Sequence, residues 1–529
     1  MKKNIIFVIK TNQEYIRFIG NEYKENEPLL NSFYESISSV YIPLLNILER
    51  LDSDNNCKLA LVFTPSLLNL LSNHEIQNHY IEYLDKKLLL GKSELKRCAK
   101  NPALIKNINE IIQKTEKVKS DFVNKYQKDI ISKYNEYYQE GKIELLATCA
   151  TDVFMPHYPD MSEIISAQIE TGLHAFRSAF SQNPDGFWIP ELGYTKGVEK
   201  IIRGYSYLYT IVDARSLLLS TTMPENGIFY PVRTDNSLVV FANDPELHDE
   251  LFGSEGIIND SSFKNLNKDI GFDLPVKNLS AFFKEGDVRY ATGFQYYNKT
   301  FNEDDKGIYN EKEAVEKARQ YARDFMNKKG ELLSKASKVV KKIDFVNLVC
   351  TLDADLFLKN WSEGIYFLEE ALSCAGEFDL NVTTCNHLLE KQFMLDKVVP
   401  YYSSCEGEGY GENLLSNKNC WMMRYIRKAS ERMIDLADRF PNDTGLKTRL
   451  LNIAAIELMI AQSSGLLKMI ENEEFPEYAA KRFKQSISAF TSVFDSLGSN
   501  TVSTEWLTTL EIKDNLFPWM NYRIFSRKK

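Results

Sequence analysis

Seven short apolar runs of strand type, separated by longer stretches with helical periodicity, occupy the first 400 residues and constrain the fold more than any other feature. They fall at 5–9, 59–63, 143–148, 186–189, 207–212, 238–241 and 344–350. Strands of this kind alternating with helices predict βα units and a largely parallel sheet, and seven of them suggest closure into a barrel. Two segments are too long for ordinary connections. Residues 74–140 alternate Lys, Glu and Asn with Ile, Leu and Tyr at helical spacing and are read as a helical insertion (domain B). Residues 243–300, rich in Asp, Asn, Phe and Gly, precede a helix expected at 311–342. Long loops at strand ends commonly build a substrate site. After residue 400 the pattern becomes purely helical, with helices expected at 421–440, 446–470 and 478–497. The expected division is a barrel over 1–400 and a helical C-terminal domain over 401–529.

Composition narrows the function. The 529 residues carry a formal net charge of −9, which argues against a nucleic-acid surface, since phosphate contacts need clustered Lys and Arg. No apolar run approaches the ~18 residues of a membrane span, and residues 5–9 read as a strand rather than a signal peptide. Cys57, Cys98, Cys149, Cys350, Cys374, Cys385, Cys405 and Cys420 show no CxxC spacing, so reduced thiols and a cytoplasmic location are expected. With six histidines and no Cys/His cluster, no structural zinc site is expected.

Two acids directly follow buried-type strands: Glu191 after Phe187-Trp188-Ile189-Pro190, and Asp353 after the 344–350 run. In parallel barrels the C-terminal strand ends form the active face, so two such carboxylates can converge for glycoside hydrolysis. The spacing alone favours the ordinary readings, a solvated Glu191 and an Asp353 that serves as a helix N-cap. The glycine-bearing stretch from Glu406 to Glu412 has three glutamates and no following Lys-Ser/Thr, which rejects a phosphate loop in favour of a mobile loop or a linker. Ser463-Ser464 lacks a nucleophile elbow and reads as packing or a rim contact.

The blocks carry more than spacing. Gly186-Phe187-Trp188-Ile189-Pro190-Glu191-Leu192-Gly193-Tyr194 resembles the Gly-Ile-Trp-Leu-Pro-Glu-Cys-Gly/Ala-Tyr block of glycoside hydrolase family 57, in its branching-enzyme and AmyC-type α-amylase subgroup. Asp353-Ala354-Asp355-Leu356-Phe357 resembles that family's Asp-Ala-Glu-Leu-Phe block. Further matches run in order from Tyr41-Ile42-Pro43 to Phe517-Pro518-Trp519. The resemblance implies a seven-stranded (β/α) barrel with an inserted domain and an all-helical C-terminal domain. It makes Glu191 the nucleophile and Asp353 the acid/base of a retaining reaction on an α-1,4-glucan or maltodextrin, with no metal or organic cofactor. By position it places Lys10, Asn12, Asp152, Trp188, Asp355, Lys359, Trp361 and Gln462 beside the substrate.

The departures are concentrated there. The family's His-Ala-His-Leu-Pro is Lys10-Thr11-Asn12-Gln13-Glu14, its third-strand His is Asp152, and Gly-His-Trp-Trp is Leu358-Lys359-Asn360-Trp361. Ser-Trp-Gly becomes Ser404-Cys405-Glu406, and Ser-Ser-Asp-Trp becomes Ser463-Ser464-Gly465-Leu466. A lysine close to Asp353, either Lys10 or Lys359, would favour its ionised form, with Asp152 and Glu406 placed to offset that. Two functions follow: a retaining enzyme of branching or hydrolysing type, or a weakened relative that binds glucan or another partner. The lost Trp positions tilt the first toward hydrolysis unless tyrosines such as Tyr296, Tyr297, Tyr401, Tyr402 and Tyr410 replace them.

Overall fold

The computed structural model describes residues 1–52, 58–300, 307–341, 343–390, 394–499 and 503–527. Cys57 and the expected end of the 311–342 helix lie outside the described residues. Each of the seven runs forms a strand: β1 (Lys2–Thr11), β2 (Leu59–Phe63), β3 (Ile143–Leu146), β4 (Gly186–Trp188), β5 (Tyr209–Val212), β7 (Val239–Ala242) and β8 (Phe345–Asp353). Two further short strands are β6 (Val232–Arg233) and β9 (Asn381–Val382).

The strands pair in parallel as β3-β2-β1-β8 and β4-β5-β7, with β6 antiparallel to β7 and β9 beside the start of β1. Parallel bridges Ala147↔Phe187 and Asn243↔Val349 join the two sheets at both edges, so the seven principal strands form a ring in chain order. Along β1 the side chains alternate between two environments. Ile6 and Val8 point inward with Val62, Leu146, Trp188, Ile211, Phe241 and Val349, whereas Ile5, Phe7 and Ile9 pack outward on the helices. This period of two carries the next inward position to Lys10, at the C-terminal mouth. β8 pairs with β1 along its whole length, to Lys10↔Asp353. The strand therefore runs three residues beyond its expected end, and Asp353 is its last residue rather than a loop residue.

The first insertion is helical as expected, with helices His74–Arg97, Pro102–Ser120 and Ile130–Gln139. The second is mostly irregular and packs on it: Tyr296 Oη donates to Glu94 Oε2 (2.9 Å). Buried Asp269 organises its turns by accepting from the N–H groups of Gly271, Thr292 and Gly293 (2.7–2.9 Å). Among the described residues no helix is long and apolar enough to cross a membrane, and the seven described cysteines are free thiols.

In the C-terminal region the α-helices among the described residues are Cys420–Arg439, Leu446–Ala461, Ser464–Glu471, Pro476–Ser499 and Thr504–Lys513. The single helix expected over 446–470 is thus two. Ser463 takes an extended conformation (φ −61°, ψ 126°) and its hydroxyl caps Gly465 N–H, which starts a new helix in a new direction. A buried ion cluster ties this region to the barrel. Arg17, just past β1, donates from Nε to Asp514 Oδ1 (2.8 Å), and Arg482 Nη2 donates to the same oxygen (2.8 Å). Glu457 Oε1 lies 3.3 Å from Arg17, and its Oε2 lies 3.5 Å from Arg482. Breaking such a pair from one side strands a buried charge. Asp514→Ala is therefore expected to cost about 3–5 kcal/mol, read as a fall in the urea midpoint, and a change below about 1 kcal/mol would deny the cluster its clamping role.

Candidate active site

Glu191 sits in the turn after β4, in the left-handed region (φ 54°, ψ 21°), followed by Leu192 at φ 46°. Two successive non-glycine residues at positive φ are costly and persist only where the surroundings hold them. Here the 403–412 segment does so: Ser404 Oγ (2.8 Å) and Cys405 N–H (3.0 Å) both donate to the Glu191 carbonyl, and Tyr194 N–H donates to the Ser403 carbonyl (2.9 Å). Gly193 is required on the far side, because a Cβ there would lie 2.6 Å from the Phe154 ring. The clamping groups are Ser403, Ser404 and Cys405; the 406–412 stretch, expected as a mobile loop or linker, follows directly and folds back on them, with Ser404 N–H donating to the Gly409 carbonyl (2.8 Å).

The Glu191 side chain is buried and both oxygens are engaged. Oε1 accepts from Ser464 Oγ (3.2 Å) and Lys10 Nζ (3.4 Å), and Oε2 accepts from Lys468 Nζ (3.0 Å). Lys10 is also ion-paired with Asp152, and Lys468 lies 2.8 Å from Glu406 Oε1. Burial opposes ionisation of Glu191, but the two ammonium groups overcome it and hold the carboxyl well below its usual range. Asp353 lies across the β1–β8 ladder from Lys10. Its side chain is open to the mouth, and Oδ1 accepts from Asp355 N–H (3.0 Å). The surrounding protein and the neighbouring Asp355 push Asp353 up to about 6 against the pull of Lys10 and Lys468. Glu14 is raised to about 7 by burial and by Asp152, while Ser463 Oγ donates to it (2.9 Å).

The structure thus brings Lys10, Asp152, Glu191 and Asp353 together. The other expected contact residues are engaged by protein partners of their own. Trp361 is a core residue, its ring 5.3 Å from Phe263 and 5.2 Å from Phe367, because the chain turns inward after the helical turn Leu356–Asn360. Trp188 alternates into the barrel interior. Gln462 is buried and spends its amide internally, accepting from Gln168 (2.9 Å) and donating to Ser430 (3.0 Å). Lys359 is drawn away from Asp353 by Asp355 and Glu474, both at 2.8 Å, which also commits Asp355 to an ion pair. Asn12 is half-buried and hydrogen-bonds Glu14. Tyr296 is buried, whereas Tyr401, Tyr402 and Tyr410 are exposed.

Lys468 is the residue that sequence reasoning missed. It belongs to a stretch that reads as one continuous helix, and only the break at Ser463 turns it toward the mouth. The available signal was Ser463-Ser464-Gly465 inside a helical pattern, a cap-and-breaker combination. Glu191, Cys405 and Glu406 place ligand atoms within 4.8 Å of one another. A metal ion there would have to displace the Lys468 ammonium, which already supplies the positive charge.

The family model for glycosyl hydrolase family 57 matches residues 6–372, and that for the C-terminal domain of 1,4-alpha-glucan branching enzyme matches residues 425–525. The 1,4-alpha-glucan branching enzyme of Thermococcus kodakarensis is 24% identical over 516 residues, covering 91% of this chain and 72% of that protein. The crystal structure of the alpha-amylase AmyC from Thermotoga maritima superposes with a TM-score of 0.91 at 26% identity, covering 100% of both chains. The branching enzyme of Pyrococcus horikoshii superposes with a TM-score of 0.87 at 22% identity, covering 100% of this chain and 98% of that one. With a family match spanning more than half its length and the expected fold beneath it, the chain belongs to glycosyl hydrolase family 57.

Proposed function

We propose that this protein is a retaining enzyme of α-1,4-glucans, acting as a 1,4-α-glucan branching enzyme, with Glu191 as nucleophile and Asp353 as general acid/base on a barrel of residues 1–400. The observation that carries the reading is the opposite bias of two carboxyl groups at one barrel mouth. Glu191 is held ionised, and Asp353 is raised to about 6. An ionised nucleophile beside an acid that holds its proton up to a pH of about 6 is the division of labour a retaining glycosidase needs. The substrate class is supported by the branching-enzyme match over 425–525 and by the names of the relatives.

In the first step a Glu191 oxygen bonds to the anomeric carbon as the glycosidic C–O bond breaks, and Asp353 gives its proton to the departing oxygen. In the second, a 6-hydroxyl of another chain passes its proton to Asp353 and its oxygen takes the anomeric carbon, releasing Glu191. Water in place of that hydroxyl gives hydrolysis. Tyr402 and Tyr410, with parallel rings 6.0 Å apart on the clamp segment, offer aromatic faces to a sugar at the rim.

One observation favours a weakened or inactive family member that binds glucan: Lys10, Ser464 and Lys468 occupy both oxygens of the carboxylate that must attack. The deciding experiment incubates the protein with amylose, debranches the products and compares chain lengths with new reducing ends. Branching through Glu191 produces new branches without matching reducing ends and is reduced more than about a thousandfold in Glu191→Gln. If wild type and variant are indistinguishable at high enzyme concentration, the binding reading replaces it. The pH profile tests Asp353 separately. Its protonated form is lost as pH rises through about 6, so kcat/KM is expected to fall about tenfold per pH unit above that point. The acid limb, set by Glu191, lies far below.

A further inference from the structure

Ser464 and Lys468 are four residues apart on the helix Ser464–Glu471 and therefore share one face. That face meets Glu191 from the helical region, opposite Lys10 on the barrel. The two lysines are not equivalent. Lys10 has a side chain 5% exposed and is held by Asp152, a carboxylate that takes no part in the proposed reaction. Lys468 is 27% exposed, and its other partner is Glu406, on the segment that clamps the Glu191 turn. It is thus the cation that joins nucleophile, clamp and helical region, and its exposure leaves it room to withdraw.

We propose that Lys468 is a positioning residue that restrains the first chemical step, holding Glu191 in a resting ion pair with the clamp that must loosen before the carboxylate can attack. This rests on the function proposed above. In the first step Glu191 exchanges its negative charge for a bond to the anomeric carbon, which carries positive charge in the transition state. An ammonium 3.0 Å from Glu191 Oε2 stabilises the resting carboxylate and opposes the developing charge, so it raises the barrel-bound barrier from both ends. In the second step the carboxylate charge returns, and the same ammonium favours opening of the ester. Lys468 therefore slows formation of the glycosyl-enzyme and speeds its breakdown, which keeps the intermediate from accumulating.

The other charged groups facing Glu191 are Lys10 from β1, Asp152 after β3 and Glu406 from the clamp, while Asp353 from β8 feels the same Lys10 and Lys468. Lys468→Met removes the charge and keeps an unbranched helix-forming side chain. A nitrophenyl α-maltooligosaccharide is the probe, because phenolate release reports the first step. The expected result is a rise in kcat/KM of about tenfold or more, with glycosyl-enzyme detected by intact mass after acid quenching. Both limbs of the pH profile move upward, since the lost cation lowered the carboxyl groups of Glu191 and Asp353 alike. Lys468→Arg, which restores a cation, returns the rate toward that of the wild type. A silent wild type with an active Lys468→Met also supports the restraint. Turnover that depends on Glu191 but is unchanged or slower in Lys468→Met overturns the restraint and leaves the proposed function standing. Absence of Glu191-dependent turnover in wild type, Lys468→Met and Lys468→Arg overturns both.

Discussion

The ion network centred on Glu191 is the interaction on which the mouth of this barrel depends. Four separate parts of the chain meet there: Lys10 at the end of β1, Asp152 after β3, Glu406 on the clamp segment, and Lys468 with Ser464 on a C-terminal helix. A buried carboxylate without partners would take up a proton or pull in water. Satisfying it here fixes the helical region against the barrel at the same point where the chemistry is proposed. Backbone contacts reinforce this docking, as Ser464 N–H donates to the Asp152 carbonyl (2.7 Å) and Val153 bridges to Ser463.

The backbone at Glu191 shows the same economy. The turn after β4 holds two residues at positive φ, a conformation that aims the Glu191 side chain at the mouth instead of along the strand. The strain is sustained because the clamp segment satisfies the Glu191 carbonyl twice and pairs with Tyr194. The segment that covers the nucleophile is therefore also the one that keeps it in place. The Arg17–Asp514–Glu457–Arg482 cluster plays a parallel part farther from the mouth, joining the residues after β1 to the C-terminal helices.

Substitutions around the site follow one physical pattern. Where the family's blocks carry histidine this chain has Lys10 and Asp152, and where they carry glycine it has Glu406; each of these charges meets an opposite one, Lys10 with Asp152 and Glu406 with Lys468. Each charge is affordable in a buried mouth only because its partner is present, so these positions are coupled and changing one alone leaves an unpaired ion. Of the positions where the family's blocks carry Trp, Leu466 is buried, whereas Cys405 is exposed and contributes its backbone N–H to the Glu191 carbonyl. The exposed tyrosines at 401, 402 and 410 remain as aromatic surface on the rim.

Much of this was legible in the residues because it is local. All seven strands lie where apolar runs predict them, since a strand buried on both faces must be apolar along its length, and the two acids at strand ends follow from the same runs. The pairing of Lys10 with Asp152 and the placement of Trp361, Trp188 and Gln462 in the interior were not legible. They depend on which way a side chain faces once the strands twist and the chain turns after Asp353. The sequence by itself determined the barrel's strands, their order and the two carboxylates at its mouth, because hydrophobic periodicity and strand ends are properties of neighbouring residues. Only the tertiary structure decided that a lysine from a distant helix rests on one of those carboxylates, because a hydroxyl cap at Ser463 redirects that helix, and the charge it carries is placed by packing rather than by spacing.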